Sequence, residues 1–409
     1  MKSLCDNFRK IIFRFQTDSA FADKWLAMIV VGSLFLPSSI CGIAIVAAAF
    51  YVMADYQRRE RAFRTPYMKL LFSTFVLSFF VAASYRNYVG MAMTLMLLAM
   101  LVYSMYLRSI MDRVLFHKLL DLACLMSIPA IVVAIVQKAV TFASDPSYRP
   151  VSFFINANYF GMMIEFTVLI ALYRAYTNRK FIPLYAVIIG MNMLGMYLCG
   201  SMSALAAMSC GIIVFLLYKR RYKLSALYVA ALLAFFLVNH FLPSIFPRVE
   251  AIGSTTDQRI SIWHGAVIGI SQTPLFGRGL RAYSIIHDSL GTYATYHCHN
   301  LYLDCLLNFG VVGCTVFLIF FGWHLRDVLH QVRTHTAGNA VLLFLAALLV
   351  TLLHGCTDVT ICWTQTGMLF LILFSATGIR AGEARKAAAS SARSYSRRLK
   401  VSVGYLMKE

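Results

Sequence analysis

The chain has 409 residues, of which 60% are hydrophobic and only 13% charged, with a mean hydropathy of +0.71. A soluble domain carries about 45–50% apolar and about 25% charged residues, so this composition excludes a cytosolic enzyme, a secreted domain and a disordered protein. Lysine and arginine number 37 against 17 acidic residues, a formal charge of +20. In a membrane protein that excess is first a question of sidedness, not of nucleic-acid binding.

Crossing about 30 Å of hydrocarbon takes about 20 apolar residues. Such runs fall near 25–36, 39–54, 70–85, 91–107, 119–137 and 159–175, then near 181–199, 203–218, 224–242, 300–325, 340–355 and 366–379. The reading is an all-α, polytopic integral membrane protein of about twelve spans, the first two being either a hairpin at Pro37 or one kinked helix. The basic start has no small-residue cleavage site after it, so no signal peptide is expected. With the N-terminus inside, thirty of the 37 cations fall in cytoplasmic segments. That bias predicts both ends in the cytoplasm and anionic lipid as a partner. The parts are a cytoplasmic N-terminus (1–24), spans one to nine (25–242), an external loop (243–299), spans ten to twelve (300–379) and a basic, disordered cytoplasmic tail (380–409).

Seven cations stand outside against the rule: Arg86, Lys138, Arg149, Arg248, Arg259, Arg278 and Arg281. Four lie in the loop 243–299, whose length is that of a functional loop. Within it, DQRISIWHGAVIGISQ has a helical pattern, apolar at Ile260, Trp263, Ala266, Val267 and Ile270. The glycines of PLFGRGLR allow a backbone nest for an anion, with Arg278 and Arg281 as phosphate forks. Pairing with Glu250, Asp257 and Asp288, or with lipid headgroups, is the plainer use of the same arginines.

HCHNLYLD (297–304) opens span ten. His299 is a general-base candidate, since a neutral imidazole accepts a hydroxyl proton near pH 7. If the helix begins there, Asn300 and Asp304 share one face and His299 and Tyr302 another. His-Cys-His at i and i+2 fits a helical metal site poorly and no second ligand pair accompanies it, so no metal is expected. Asn156, Asn158, Glu165, His354 and Asp358 are polar where lipid should be costly, either as functional groups or as helix–helix hydrogen bonds. Cys356 and Cys362 share the last external loop, where a disulfide is conceivable. No phosphate-binding loop marks the chain as an ATP-driven pump.

The stretch from Arg259 to Gly313 resembles the O-antigen ligase and polymerase superfamily. It has an Arg followed four residues later by Trp263, then Pro-Leu-Phe-Gly-x-Gly, then His-Asn opening a span. HNLYLDCLLNFG (299–310) has the spacing of the family's His–Gly element, and FGVVG its ending. Arg149 with Asn158-Tyr-Phe-Gly161 is similar to a second element, and Asp358 stands where some ligases carry Asp. The resemblance implies a GT-C-type membrane glycosyltransferase in the bacterial inner membrane, inverting, and using neither metal nor any other cofactor. Its donor would be a glycan on undecaprenyl diphosphate, and its acceptor a surface lipid or polysaccharide hydroxyl outside the membrane, as in lipopolysaccharide biosynthesis.

Carried over residue by residue, His299 is the base and Arg259 the diphosphate clamp. Arg278 and Arg281 are second candidates for the clamp, with Arg149, Asn158, Arg86, Asn300 and Asp358 as further substrate contacts. One departure stands out: where ligases carry Ser/Thr-Arg-x-x-Leu, this chain has Ser201-Met202-Ser203-Ala204-Leu205, with Met for Arg. A polymerase that joins repeat units is the close alternative. A transporter or flippase of lipid-linked sugars is the outsider, because the polar residues gather at one face and do not line a central path.

Overall fold

The computed structural model describes residues 18–242, 252–334, 338–379 and Glu383. The N-terminal segment before Asp18, Arg248 and the basic tail apart from Glu383 lie outside the described residues. Among the described residues every regular element is helical: α1 (Ser19–Ser33), α2 (Ser38–Ala54), α3 (Tyr56–Phe63), α4 (Met68–Ser84), α5 (Tyr88–Ile110), α6 (Arg113–Thr141), α7 (Ala157–Thr177), α8 (Ile182–Cys199), α9 (Met202–Tyr218), α10 (Tyr222–Phe241), α11 (Ile252–Gln272), α12 (Tyr283–Ile286), α13 (Leu301–Arg333), α14 (Asn339–Gly355) and α15 (Thr364–Phe374). Five helical segments are long and apolar enough to cross a membrane alone: α5, α6, α8 with the turn before it (Arg179–Cys199), α10 and α13. The pair α2–α3, bent by 104°, makes a sixth if it is one span, and α4, α9, α14 and α15 are shorter apolar helices. The chain is thus an integral membrane protein in character. The start of the chain forms two helices, α1 and α2, rather than one with a kink, because Pro37 cannot donate a helical hydrogen bond.

Helix α7 is the axis of the bundle, with sixteen of its residues buried. It packs on α6, α8, α9, α14 and α15. Two buried polar contacts fix it. Arg174 grips Asp121 of α6 with two hydrogen bonds of 2.6 and 2.9 Å, and Tyr185 of α8 donates to the same carboxylate at 2.7 Å. Two turns into α7 from its other end, Glu165 Oε1 lies 2.6 Å from His354 Nδ1 of α14, both side chains fully buried. A buried pair of this kind loses about 3–5 kcal/mol when one partner is removed, since the other is left uncompensated.

The helix expected inside the long loop is present as α11, and of its expected apolar face Trp263, Ala266 and Ile270 pack inward while Ile260 and Val267 are exposed. Ile262 joins them, and these residues pack with Ala282, Tyr283, Ile286, Cys298 and Leu307 in a small second apolar cluster. The cluster seats α11 and α12 on the outer part of α13. The break in α13 at Gly310 (φ 64°, ψ −174°) is the second determinant. It frees two carbonyls and two N–H groups, and the PLFGRG segment takes all four. Arg278 N donates to Leu307 O (3.0 Å), Gly279 N to Asn308 O (2.9 Å), Val311 N to Pro274 O (2.8 Å) and Val312 N to Leu275 O (3.1 Å). The glycines of this motif serve that crossing, because a Cβ at Gly277 would strike the Leu307 and Asn308 backbone and one at Gly310 the Leu275 carbonyl. The nest expected for an anion is therefore excluded at Arg278 and Gly279, whose N–H groups are spent on the broken helix.

Candidate active site

Four chain segments meet at one end of the bundle: the start of α7, the loop before α13, the loop 356–363 after α14, and the start of α9. His299 stands just outside α13, in a left-handed conformation (φ 47°) tolerated by few side chains other than glycine. The helix begins at Leu301, so His299 and Tyr302 do not share a helical face as expected. The turn instead brings His299 Nδ1 to 3.2 Å from Asp358 Oδ1. Asp358 is 1% exposed and also accepts from the Val359 N–H (2.8 Å) and from Asn158 Nδ2 (2.5 Å). Burial opposes its ionisation. The His299 hydrogen bond, followed by the electrostatic influence of the neighbouring imidazoles, outweighs that and holds the carboxyl well below the usual carboxylate range.

An ionised carboxylate only accepts, so a neutral His299 carries its proton on Nδ1, and its Nε2 then has the lone pair. The Thr295 hydroxyl lies 3.3 Å from that nitrogen and is the described polar group nearest it in the network. His297 is fixed in the opposite tautomer. The His299 backbone N–H donates to His297 Nδ1 (3.3 Å), so the proton sits on Nε2, which faces Tyr159 Oη at 3.3 Å. Burial lowers the His297 pKa and His299 adds to the lowering, which together outweigh the opposing pull of the Asp358 carboxylate, so the ring is neutral at pH 7.

These tautomers bear on metal binding. His297, His299 and Asp358 each offer an atom, all within 4.8 Å of one another. As hydrogen-bonded, His299 Nδ1 and His297 Nε2 both present protons to the cluster and form a relay, and a metal ion would have to displace those protons to bind.

Arg149 is tied to the cluster through Asn158. It donates to Cys199 O (2.7 Å) and to Asn158 Oδ1 (2.8 Å), and Ser201 adds a 3.0 Å bond to the same oxygen. That fixes which way the Asn158 amide points, so its NH2 must face Asp358. Arg149, Asn158, Asp358 and His299 are thus one hydrogen-bonded chain. Arg259 stands half-buried on α11 within electrostatic reach of His354, the residue one turn before Asp358. Arg281 lines a cavity of about 300 Å³ beside His297.

The other expected contacts lie elsewhere. Arg278 turns outward, bonded to Gln272 (2.6 Å) and stacked 5.4 Å over Tyr85. Arg86 is exposed, in a left-handed turn between α4 and α5. Asn300 caps α13, accepting from Tyr302 N and Leu303 N, and ties it to Cys356 O through Nδ2. Cys356 and Cys362 are separate thiols, so the disulfide considered for that loop is absent. Of the two acidic residues in doubt, Asp358 belongs to the cluster and Glu165 is the helix–helix contact described above. Sequence reasoning missed His297, Thr295, Tyr159 and Trp363. A His two residues from a candidate base was visible, but nothing local showed that Tyr159 and Trp363, about 200 positions apart, stack at 5.6 Å.

Residues 184–318 match the family model described as O-antigen ligase (Wzy_C). The match runs from α8 into α13, takes in Arg259 and His299, and stops short of Asp358. It supports membership of the O-antigen ligase superfamily. No curated protein matches the chain.

Proposed function

We propose that this relative of the O-antigen ligases transfers a glycan from undecaprenyl diphosphate to an acceptor hydroxyl at the outer face of the bacterial inner membrane. The observation that carries the reading is the Asp358–His299 pair, because it leaves His299 Nε2 as a base. In the step, Nε2 takes the acceptor's hydroxyl proton as that oxygen bonds to the anomeric carbon. The bond from that carbon to the phosphate oxygen breaks on the opposite face, so the anomeric configuration inverts. The diphosphate departs with the bonding electrons, and Arg259 stabilises the charge that develops on it. Asp358 stays ionised and stabilises the imidazolium formed. Nothing in this step calls for a metal or another cofactor.

A GT-C-type bundle of twelve spans with both ends cytoplasmic fits this reading, with the site at the face where α7, α9 and α13 begin. A Met at position 202 leaves Arg259 to face the diphosphate. Replacing His299 and Arg259 by Ala separately, in purified protein supplied with lipid-linked glycan and acceptor, tests it. His299→Ala is expected to lose about 10²–10⁴-fold in transfer, and Arg259→Ala about 10²–10³-fold. Full activity in both well-folded variants would sink the assignment. In cells, loss of a ligase leaves full-length chains unattached, whereas loss of a polymerase leaves single repeats.

A further inference from the structure

The cavity beside His297 is not used by the step above. Its walls are Tyr159 and Trp363, stacked at 5.6 Å with their planes 2° apart, and Tyr296. Arg281 enters from the loop before α12 in a left-handed conformation (φ 58°), its guanidinium 4.3 Å above the Tyr296 ring. Its Nε is buried and has no hydrogen-bond partner, and no carboxylate pairs with it among the described residues. Asp304 also lines the cavity, but Cys298 N–H (3.0 Å) and Asn308 Nδ2 (2.6 Å) each hold one of its oxygens. A buried donor of this kind calls for an acceptor, and a guanidinium with a free edge suits a planar anion.

From a flat aromatic wall, one unpaired guanidinium and room for little more than a monosaccharide, we infer that this cavity binds a pyranose ring bearing an anionic substituent, and that the ring belongs to the acceptor. The aromatic faces take the C–H side of the ring, as amphipathic rings do in ligand pockets. The acceptor assignment rests on the function proposed above. The acceptor hydroxyl must reach His299, so the sugar site that adjoins the His297–His299 pair is the acceptor's. His297, whose ring centroid is 4.3 Å from that of His299, connects this cavity to the base. The anionic group is a carboxylate, as in a uronic acid, or a phosphate ester.

Calorimetric titration of the full chain in detergent tests this with galacturonate, galactose, glucose 6-phosphate, glucose and inorganic phosphate. At least one charged sugar is expected to bind about tenfold more tightly than its neutral counterpart. The tighter of the two identifies the anionic group. Arg281→Gln should remove the difference and Arg281→Lys restore part of it, while Arg259→Gln keeps it. The charged sugar should also compete with acceptor and not with donor in transfer assays. Equal binding of charged and neutral sugars, binding of inorganic phosphate as tightly as of the sugar phosphate, or a preference that survives Arg281→Gln overturns the site. If His299→Ala keeps full transfer while Arg281→Gln still removes the preference, the site stands and its link to the acceptor falls.

Discussion

At the scale of single residues, the chemistry of the cluster is decided by which atoms can only accept or only donate. Asp358 can only accept, and this places the His299 proton on Nδ1. Asp358→Asn keeps the size but puts an NH2 among groups that already donate. With the amide nitrogen toward His299, Nδ1 must accept and the proton moves to Nε2, which removes the base. Transfer should fall by about 10²–10⁴-fold with little loss of thermal stability, as a wrong tautomer does elsewhere; near-normal rates would show that His299 does not act through this pair. His297 gives a pH test. Its pKa is lowered on folding from an ordinary value of 6.5, so below that pH the unfolded chain takes up a proton that the folded one refuses. Stability should therefore fall as pH drops through 6.5 toward the lowered value, and be constant above it on this account. Thermal unfolding of His297→Asn across pH 5–8 should show a shallower acid slope than the parent, and an unchanged slope would refute the burial of a neutral ring.

At the scale of elements, the decisive feature is the break in α13. Four backbone groups that a continuous helix would pair internally are paired by the Pro274–Gly279 segment instead, which holds the loop bearing Arg281 against the outer part of the helix. The spacing between the Pro-Leu-Phe-Gly-x-Gly motif and Gly310 is thereby explained as a backbone crossing. Gly310→Ala should be destabilising, because φ 64° with ψ −174° is a region open essentially only to glycine and the new Cβ meets the Leu275 carbonyl. The strain alone is about 1–3 kcal/mol. The measurement is the thermal midpoint in detergent, and a variant as stable as the parent would mean that the crossing yields easily. The two helices at the ends of the loop behave differently in sequence. The helical period of α11 was readable and Trp263, Ala266 and Ile270 pack inward as it predicts, but the edge of the buried face was not, since Ile260 and Val267 are as apolar as Ile262. Which side is covered depends on α12 and α13, more than ten residues away in the chain.

At the scale of the whole molecule, charge and polarity are sorted along one axis. The Arg174–Asp121 grip lies toward one end of α7, and the Asn158–Asp358–His299 chain lies at the other. The cation bias in the sequence predicts that the first end faces the cytoplasm and the second the exterior. Single-cysteine labelling with an impermeant reagent in intact inner-membrane vesicles of known orientation tests this. Positions in 142–150 and 288–296 should label from the outer face, and positions in 219–223 only from the inner; the reverse pattern would place the site in the cytoplasm and end the proposal of surface transfer.

Composition and hydrophobic run length by themselves determined that the chain is a helical membrane protein, because burying a backbone in lipid leaves few other solutions. The order of residues also singled out the HCHNLYLD stretch that holds His299, since that pattern is local and contiguous. Tertiary structure alone decided the rest. It separated Asp358, drawn into the cluster, from Glu165, paired with His354 in the bundle, although both are acidic residues in apolar surroundings. It showed that Arg278 and Arg281, three positions apart, face different ways, one onto Tyr85 and the other into a cavity. Polar groups in lipid must find partners, and those partners come from helices distant in the chain, so sequence shows that a partner is needed but not which one is met.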